Sequence, residues 1–175
     1  MKIVQILGKG RGIEVPFPSD AERWGIGDLA FLRYSGQFDN WTQWFDLHHP
    51  DRIINKRPQA WEWYKHQTKP IYMLERYEEI PASIPYPKDE VLDYFKTKRF
   101  GSSFDWMMAK AIFEEASIIE LCWCRMKDKI EYANQVPTAN YWFGQAEARG
   151  IEIKIHGESA LQPNPSLYGF EVTYN

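Results

Sequence analysis

The chain has 175 residues, 44% hydrophobic and 16% aromatic, which is enough to bury the core of one folded domain and excludes a disordered chain. The net charge of −3 argues against extended binding to nucleic acid, although a local basic patch is compatible with it. No apolar run approaches the length of a membrane span, and no signal-peptide pattern opens the chain. We therefore expect a cytoplasmic protein in which residues 1–175 form a single domain.

An apolar run at residues 3–7 leads directly into a glycine-rich turn at residues 8–12. The run is typical of a strand buried on both faces at the centre of a parallel sheet. The glycines allow a ligand to approach the backbone N–H groups, and Lys9 and Arg11 add positive charge. This combination favours a phosphate. The alternative is a purely structural turn, since the segment lacks the full G-x-G-x-x-G spacing and is no Walker sequence.

Residues 13–23 contain two prolines and predict a loop, and residues 24–32 predict an extended segment. Residues 44–47 predict a strand, and its carboxyl end carries Asp46 and His48. Ligands of open α/β sheets bind beside such ends. His48 is therefore a candidate acid or base, with Asp46 holding its imidazole, a ribose hydroxyl or a metal. The alternative is a hydrogen-bonded loop.

The middle of the chain predicts a helix from Arg57-Pro58 and a strand at residues 71–74. Residues 75–88 contain three prolines and predict a long surface loop, followed by a short helix at residues 89–95. Apolar residues then recur at helical spacing over residues 104–116, and Ser102 or Ser103 is suited to cap that helix. A phosphate at this helix N-terminus and plain capping are compatible with each other.

The last third predicts a strand at residues 118–124, a charged loop at 125–136, a helix from Pro137 and a strand at 151–155. Glu131 and Tyr132 of the loop, with Tyr141 of the helix, are candidates for recognising a base or sugar, and half-buried packing is the alternative. The strand places Cys122 and Cys124 on one buried face, which favours reduced thiols. We expect no metal site there, because neighbouring sequence offers no further ligands.

Strands that alternate with helices predict a single three-layer α/β domain with a mostly parallel sheet. Specifically, residues 3–7, 44–47, 71–74, 118–124 and 151–155 should pair in one sheet, with the helix over residues 104–116 packed on it. Lys9, Arg11 and Arg52 should form a local positive pocket beside the first loop.

Three segments carry a resemblance to known families: the strand ending in Gly8-Lys9-Gly10, the strand end Trp44-Phe45-Asp46-Leu47-His48, and the helix start Phe100-Gly101-Ser102-Ser103. In this order they resemble small bacteriophage Rossmann-like proteins of unassigned function. More distantly they resemble hydroxymethylpterin diphosphokinase-like proteins, motility-associated glycosyltransferases and sialyltransferase-type transferases. The phage-type resemblance extends through Arg149-Gly150-Ile151 to Tyr168-Gly169-Phe170-Glu171.

The resemblance implies that the glycine-rich loop and the Gly-Ser helix start face a nucleotide. Two features depart from the transferases: Lys9 and Arg11 replace an Asn-Gly-Pro-Ser type of turn, and the chain is shorter than most of them. The candidate catalytic residues are His48 and Asp46. The candidate nucleotide-binding residues are Gly8, Lys9, Gly10, Arg11, Gly101, Ser102, Ser103, Glu131, Tyr132 and Tyr141.

The function that follows from the resemblance is binding of a nucleotide or nucleotide sugar, with glycosyl or phosphoryl transfer as the enzymatic version. The alternative is a non-catalytic protein of a phage that sequesters or senses a nucleotide signal inside the bacterial host cell. The expected partner is a small nucleotide, which a divalent metal would accompany in the transferase version. We expect no membrane partner and no extended nucleic-acid binding, and homo-oligomerisation stays open.

Overall fold

Seven parallel strands form one sheet in the computed structural model, which describes residues 1–10, 15–31, 40–127 and 129–161. The strands are β1 (Ile3–Leu7), β2 (Ala21–Ile26), β3 (Gln43–Phe45), β4 (Ile71–Met73), β5 (Ser83–Pro85), β6 (Ile118–Cys122) and β7 (Glu152–His156). Their order across the sheet is β5-β4-β3-β2-β1-β6-β7, and every neighbouring pair is parallel. The predicted α/β class and parallel sheet are confirmed.

Helices cover both faces of the sheet. They are α1 (Pro50–Lys56), α2 (Pro58–Lys65), α3 (Lys88–Phe95), α4 (Ser103–Phe113) and α5 (Ile130–Glu147), and a short 3-10 helix spans Gly27–Phe31. One apolar cluster joins alternate strand residues such as Ile6 and Leu121 to α3, α4 and α5. A second cluster joins Leu7 and Cys122, on the opposite face, to α1 and α2. This alternation follows from the two-residue period of a strand and gives three layers.

The order of the strands reverses between β1 and β6. The chain moves outward from β1 to β5 and then crosses to the other side of β1 to form β6 and β7. This reversal places a crevice at the carboxyl ends of these two strands. Such a crevice is the usual ligand site of an open parallel sheet.

The glycine loop after β1 packs directly on the end of β6. The N–H of Gly8 donates to the carbonyl of Cys122 at 2.7 Å, and that of Gly10 to Trp123 at 2.9 Å. A Cβ at Gly8 would lie 2.4 Å from the Trp123 carbonyl oxygen. Gly8 is therefore required by close backbone approach, whatever else this loop binds.

Several elements differ from the sequence-based prediction. β2 lies partly within the predicted loop at residues 13–23, and β5 lies within the predicted loop at residues 75–88. Buried Arg23 is tolerated in β2 because its Nε donates to Gln5 Oε1 at 3.0 Å. The extended segment ends at Ile26, because Gly27 has a φ of 50° and turns the chain into the 3-10 helix.

One helix was not predicted, and another begins earlier than predicted. α1 occupies the segment directly after His48 and His49, where a loop was expected, whereas α2 begins at Pro58 as predicted. α5 starts at Ile130 and contains Pro137 in its interior. Packing of this first half of α5 on the main core cluster offsets the hydrogen bond that proline removes. The predicted charged loop therefore ends before Ile130.

The two cysteines lie on opposite faces of the sheet, contrary to the prediction. β6 ends at Cys122, and Trp123 has a φ of 57°, so the chain leaves the strand before Cys124. Cys122 belongs to the cluster under α1 and α2, whereas Cys124 belongs to the cluster under α4 and α5. The thiols are therefore in separate environments, and both are free and buried.

None of the helices in the described ranges has the length and apolar character needed to cross a membrane.

Candidate functional site

A cleft of about 1470 Å³ opens at the point where the strand order reverses. Segments that follow β1, β2, β3 and β6 line it, together with α1 and the first turns of α4 and α5. Most of the candidate residues lie on its wall: Gly8, Lys9, Gly10, His48, Gly101, Ser102, Ser103, Glu131 and Tyr132. The cleft is larger than the several hundred cubic ångströms typical of a small-molecule site. It has room for a nucleotide and a second substrate.

Lys9 extends from the first loop to an ion pair with Asp28 of the 3-10 helix. Burial raises the pKa of the Asp28 carboxyl, but the hydrogen bond from Lys9 and the charge of Arg57 outweigh it and lower the pKa below its usual value. Asp28 is therefore ionised at neutral pH and holds Lys9 at the mouth of the first loop. Arg11 lies outside the described residues.

His48 follows β3 and is held by Asp46. Its Nδ1 lies 2.6 Å from Asp46 Oδ1. The Asp46 side chain is fully buried, whereas the His48 side chain is one third exposed and lines the cleft. An Asp46 carboxylate that accepts from Nδ1–H leaves the Nε2 lone pair of His48 free to accept a proton.

Two further side chains converge on the Asp46 carboxylate. The Tyr64 hydroxyl donates to Oδ2 at 2.7 Å, and Arg57 Nη2 lies 3.1 Å from Oδ2. Burial raises the pKa of Asp46, but the hydrogen bond from His48 and the charge of Arg57 together lower it below its ordinary value. Burial and the negative charge of Asp46 raise the pKa of Tyr64. Asp46 is thus a carboxylate, and Tyr64 is a neutral donor to it.

The contacts of Arg57 also indicate whether Nδ1 of His48 carries a proton. Arg57 Nη2 is 3.2 Å from His48 Nδ1 and can only donate. Its better acceptor is the Asp46 carboxylate, also 3.2 Å away at Oδ1, because that hydrogen bond joins opposite charges. Nδ1 of His48 therefore carries a proton, which it donates to Asp46.

The N-terminus of α4 forms another part of the wall. The Ser102 Oγ accepts from the backbone N–H of Asp105, while Asp105 Oδ2 accepts from Ser102 N–H at 3.0 Å and Gly101 N–H at 2.6 Å. This capping box confirms Ser102 as the cap, as the sequence predicts. Ser103 and Phe104 of the first turn also line the cleft, where the helix dipole favours an anion.

The start of α5 supplies Glu131, Tyr132 and Gln135 to the cleft. These residues lie in the first turns of a helix and not in the predicted loop. Tyr141 lies further along α5, outside the cleft, where its ring contacts Trp142 and Arg99. The structure thus brings the candidates of the first loop, β3, α4 and the start of α5 together, but not Tyr141.

The cleft is basic although the protein is acidic. Among the described lining residues, Glu131 and Glu158 are acidic, whereas a larger set is basic: Lys9, Arg52, Lys56, Arg57, Arg125, Lys127 and Lys129. Arg125 and Lys127 share Glu158. Arg52 and Lys56 on α1 form no ion pair within the described part of the chain. The cleft therefore has cations available for an anionic ligand.

Sequence reasoning missed Arg57 and Tyr64 as parts of the site. Arg57 was predicted only as a helix start, and Tyr64 was not among the candidate site residues. Tyr64 does pack in the core cluster, but its hydroxyl reaches Asp46, which is 18 residues away in sequence. No local pattern marks such a contact, because it depends on how α2 packs against β3.

The described residues lining the cleft do not form a cluster of three metal-ligating side chains. One such cluster lies elsewhere and comprises Glu120, Cys122 and His156.

No protein-family model and no curated protein matches the chain. Two solved structures of the sialyltransferase CstII from Campylobacter jejuni are similar in fold. The complex with the substrate analogue CMP-3FNeuAc gives a TM-score of 0.59 at 17% identity, and that with cytidine-5'-monophosphate a TM-score of 0.56 at 16% identity. Each comparison covers 89% of this chain and 80% of the other. The chain therefore shares the fold of a sialyltransferase, and the phage-type and pterin-kinase resemblances stay predictions.

Proposed function

We propose that this protein is a glycosyltransferase that binds a nucleotide sugar in the cleft between β1 and β6. The observation that carries the proposal is the convergence, in one basic cleft, of a helix N-terminus and a carboxylate-held histidine. The similar sialyltransferase structures bind CMP and a CMP-sugar analogue, so a CMP-activated sugar is the first donor to test.

In this proposal the nucleotide phosphate lies between the first loop and the N-terminus of α4. The N–H groups of the first turn of α4 and the Ser103 hydroxyl donate to the phosphate oxygens. Lys9 and Arg52 offset the charge that develops on the phosphate as it leaves the sugar. Tyr132 offers an aromatic face to the base or sugar at the opposite wall.

His48 acts as the general base. Its Nε2 accepts the proton of an acceptor hydroxyl as that oxygen forms a bond to the anomeric carbon. The bond between this carbon and the phosphate oxygen breaks, and the nucleotide leaves with the electron pair. Asp46 is a positioning residue that stabilises the imidazolium through Nδ1, supported by Arg57 and Tyr64.

The adjacent histidines provide a matched test. The His48→Ala variant should release CMP from CMP-activated sialic acid roughly a hundredfold more slowly than the wild type, while the Kd for CMP changes little. The His49→Ala variant is the control, because His49 is 71% exposed, caps α1 and does not line the cleft. Its turnover should stay near the wild-type value. Mass spectrometry and calorimetry measure the two quantities.

Three outcomes would contradict the proposal in different ways. A wild-type protein that binds CMP tightly but returns every CMP-, UDP- and GDP-sugar intact would support the alternative function of sequestering or sensing a nucleotide. Turnover that survives in His48→Ala would remove His48 as the base. Absence of any nucleotide-dependent increase in Tm would remove the cleft as a nucleotide site.

A further inference from the structure

A second cluster of ligating side chains lies between β6 and the edge strand β7. The register pairs Cys122 with His156, and Glu120 precedes Cys122 by two residues, so all three point to one face of the sheet. Their ligand atoms, a carboxylate oxygen, a thiol sulfur and an imidazole nitrogen, lie within 4.8 Å of one another. This face is opposite the one that packs on α4 and α5.

We propose that Glu120, Cys122 and His156 bind a divalent transition metal of the zinc class, with water as the fourth ligand. Carboxylate, thiolate and imidazole are the ligand types that zinc accepts, and three protein ligands with one open position is a common arrangement. The inference is independent of the proposed transferase function, since none of the three residues lines the cleft.

The Nε2 atom of His156 supports the proposal. It is inaccessible to solvent and has no hydrogen-bond partner within the described residues. The distance from Nε2 to Glu120 Oε2 is 3.7 Å, which is beyond hydrogen-bond distance. A metal ion between them would give Nε2 a partner after the side chains close by a fraction of an ångström.

A polar contact behind the site orients one of the ligands. Gln5 Nε2 donates to Glu120 Oε2 at 2.7 Å, and Gln5 Oε1 accepts from Arg23. Such contacts fix the orientation of metal ligands in proteins. The His156 side chain is one third exposed whereas Glu120 and Cys122 are buried, so solvent reaches the cluster from the side of β7.

The metal would strengthen the attachment of an edge strand to the sheet. β7 is an edge strand in which no residue is fully buried. A bond from β6 through the metal to His156 would tie it to the centre of the sheet. Binding to the folded protein alone should then raise the Tm, and the increase should grow with the logarithm of the free metal concentration once that exceeds the Kd.

Cobalt(II) is the probe for this site, because a thiolate ligand gives it an intense near-ultraviolet charge-transfer band. Chelator-treated protein should bind one Co²⁺ per chain with this band, and Zn²⁺ should displace the cobalt. The Cys122→Ser variant should lose the band, and the His156→Gln variant should bind about tenfold more weakly or worse.

Cys124 provides the matched control. It is a buried thiol two residues from Cys122, but it lies on the other face, with its Sγ 3.4 Å from the Ile6 carbonyl oxygen. The Cys124→Ser variant should keep the band and the affinity. Because substitution of a buried cysteine can itself unfold the protein, circular dichroism of each variant accompanies the titration, and the partly exposed His156 supplies the second test.

The proposal is overturned if Co²⁺ gives no thiolate band with folded wild-type protein. It is also overturned if the band survives Cys122→Ser, or if His156→Gln binds as tightly as the wild type. In that case Glu120 and His156 form only an ion pair, and Cys122 is a packing residue.

Discussion

Asp46 is the residue on which the candidate site depends most. It is a fully buried carboxylate that contacts His48, Arg57 and Tyr64, so its charge is stabilised by one guanidinium and two hydrogen-bond donors. This environment lowers the pKa of Asp46 despite its burial. The ionised state therefore contributes to stability as well as to the orientation of His48.

We expect the Asp46→Asn variant to lose about 3 kcal/mol of unfolding free energy at neutral pH, since it removes the closer of the two carboxylates that face Arg57, the other being Asp28 at 3.9 Å. Because the folded-state pKa is depressed, this contribution is fully present above the pKa of the unfolded chain. It is lost as the pH falls through the folded-state pKa. The gap between wild type and variant should therefore narrow below about pH 4.

Urea unfolding of both proteins from neutral to acidic pH measures this gap. A gap that stays constant or widens in acid would show that the Asp46 charge does not stabilise the fold. The exposed Asp51→Asn variant is the control, and its stability should follow the wild type within about 0.5 kcal/mol at every pH.

At the scale of the element, helix α4 combines a structural cap with an open N-terminus. Ser102 closes the capping box with Asp105, and Ser103 is the first helical residue and lines the cleft. The two neighbouring serines therefore have different roles. One stabilises the helix, and the other is available to a ligand.

We expect alanine at the two serine positions to affect different properties, stability at Ser102 and ligand affinity at Ser103. Ser102→Ala should cost about 1 kcal/mol of unfolding free energy, because Asp105 N–H loses its side-chain acceptor. Ser103→Ala should leave stability nearly unchanged and weaken CMP binding about tenfold, the value of a lost hydrogen bond to a charged group. Thermal melts and calorimetry on both variants measure this. Equal effects of the two substitutions on CMP affinity would contradict the assignment.

At the scale of the molecule, charge is distributed unevenly. The net charge is −3, yet the described cleft lining contains more basic than acidic side chains. Arg52 and Lys56 lie one turn apart on α1, and both face the cleft. The field in the cleft is therefore positive, which favours an anionic ligand over the neutral or cationic ones.

Replacing both Arg52 and Lys56 with alanine should weaken CMP binding about fivefold at low salt, and the difference should shrink at high salt because exposed charges are screened. The matched control replaces Lys88 and Lys96 of the α3 region, which form local ion pairs away from the cleft. Calorimetry at two ionic strengths measures both. A control that weakens binding equally would mean that only net charge matters.

Local sequence signals were sufficient to predict the α/β class and the parallel sheet. Continuous apolar runs indicate buried strands such as β1 and β6, and the 3.6-residue period and serine cap indicate α4. These signals can be recognised because they depend only on residues close together in the chain. Local reasoning also placed His48 and the Gly8 loop at strand ends, and all parallel strands end at one edge of the sheet. It failed where the pattern was short or polar, as in β2 and β5.

Contacts between side chains that lie far apart in the chain could be identified only in the folded protein. Arg57 and Tyr64 reach Asp46 because α2 packs against β3, and His156 reaches Cys122 because β7 pairs with β6 in one register. Trp123 sends the two cysteines to opposite faces through a single left-handed residue. These contacts join residues far apart in the chain, and their geometry depends on packing and register, which no local periodicity records.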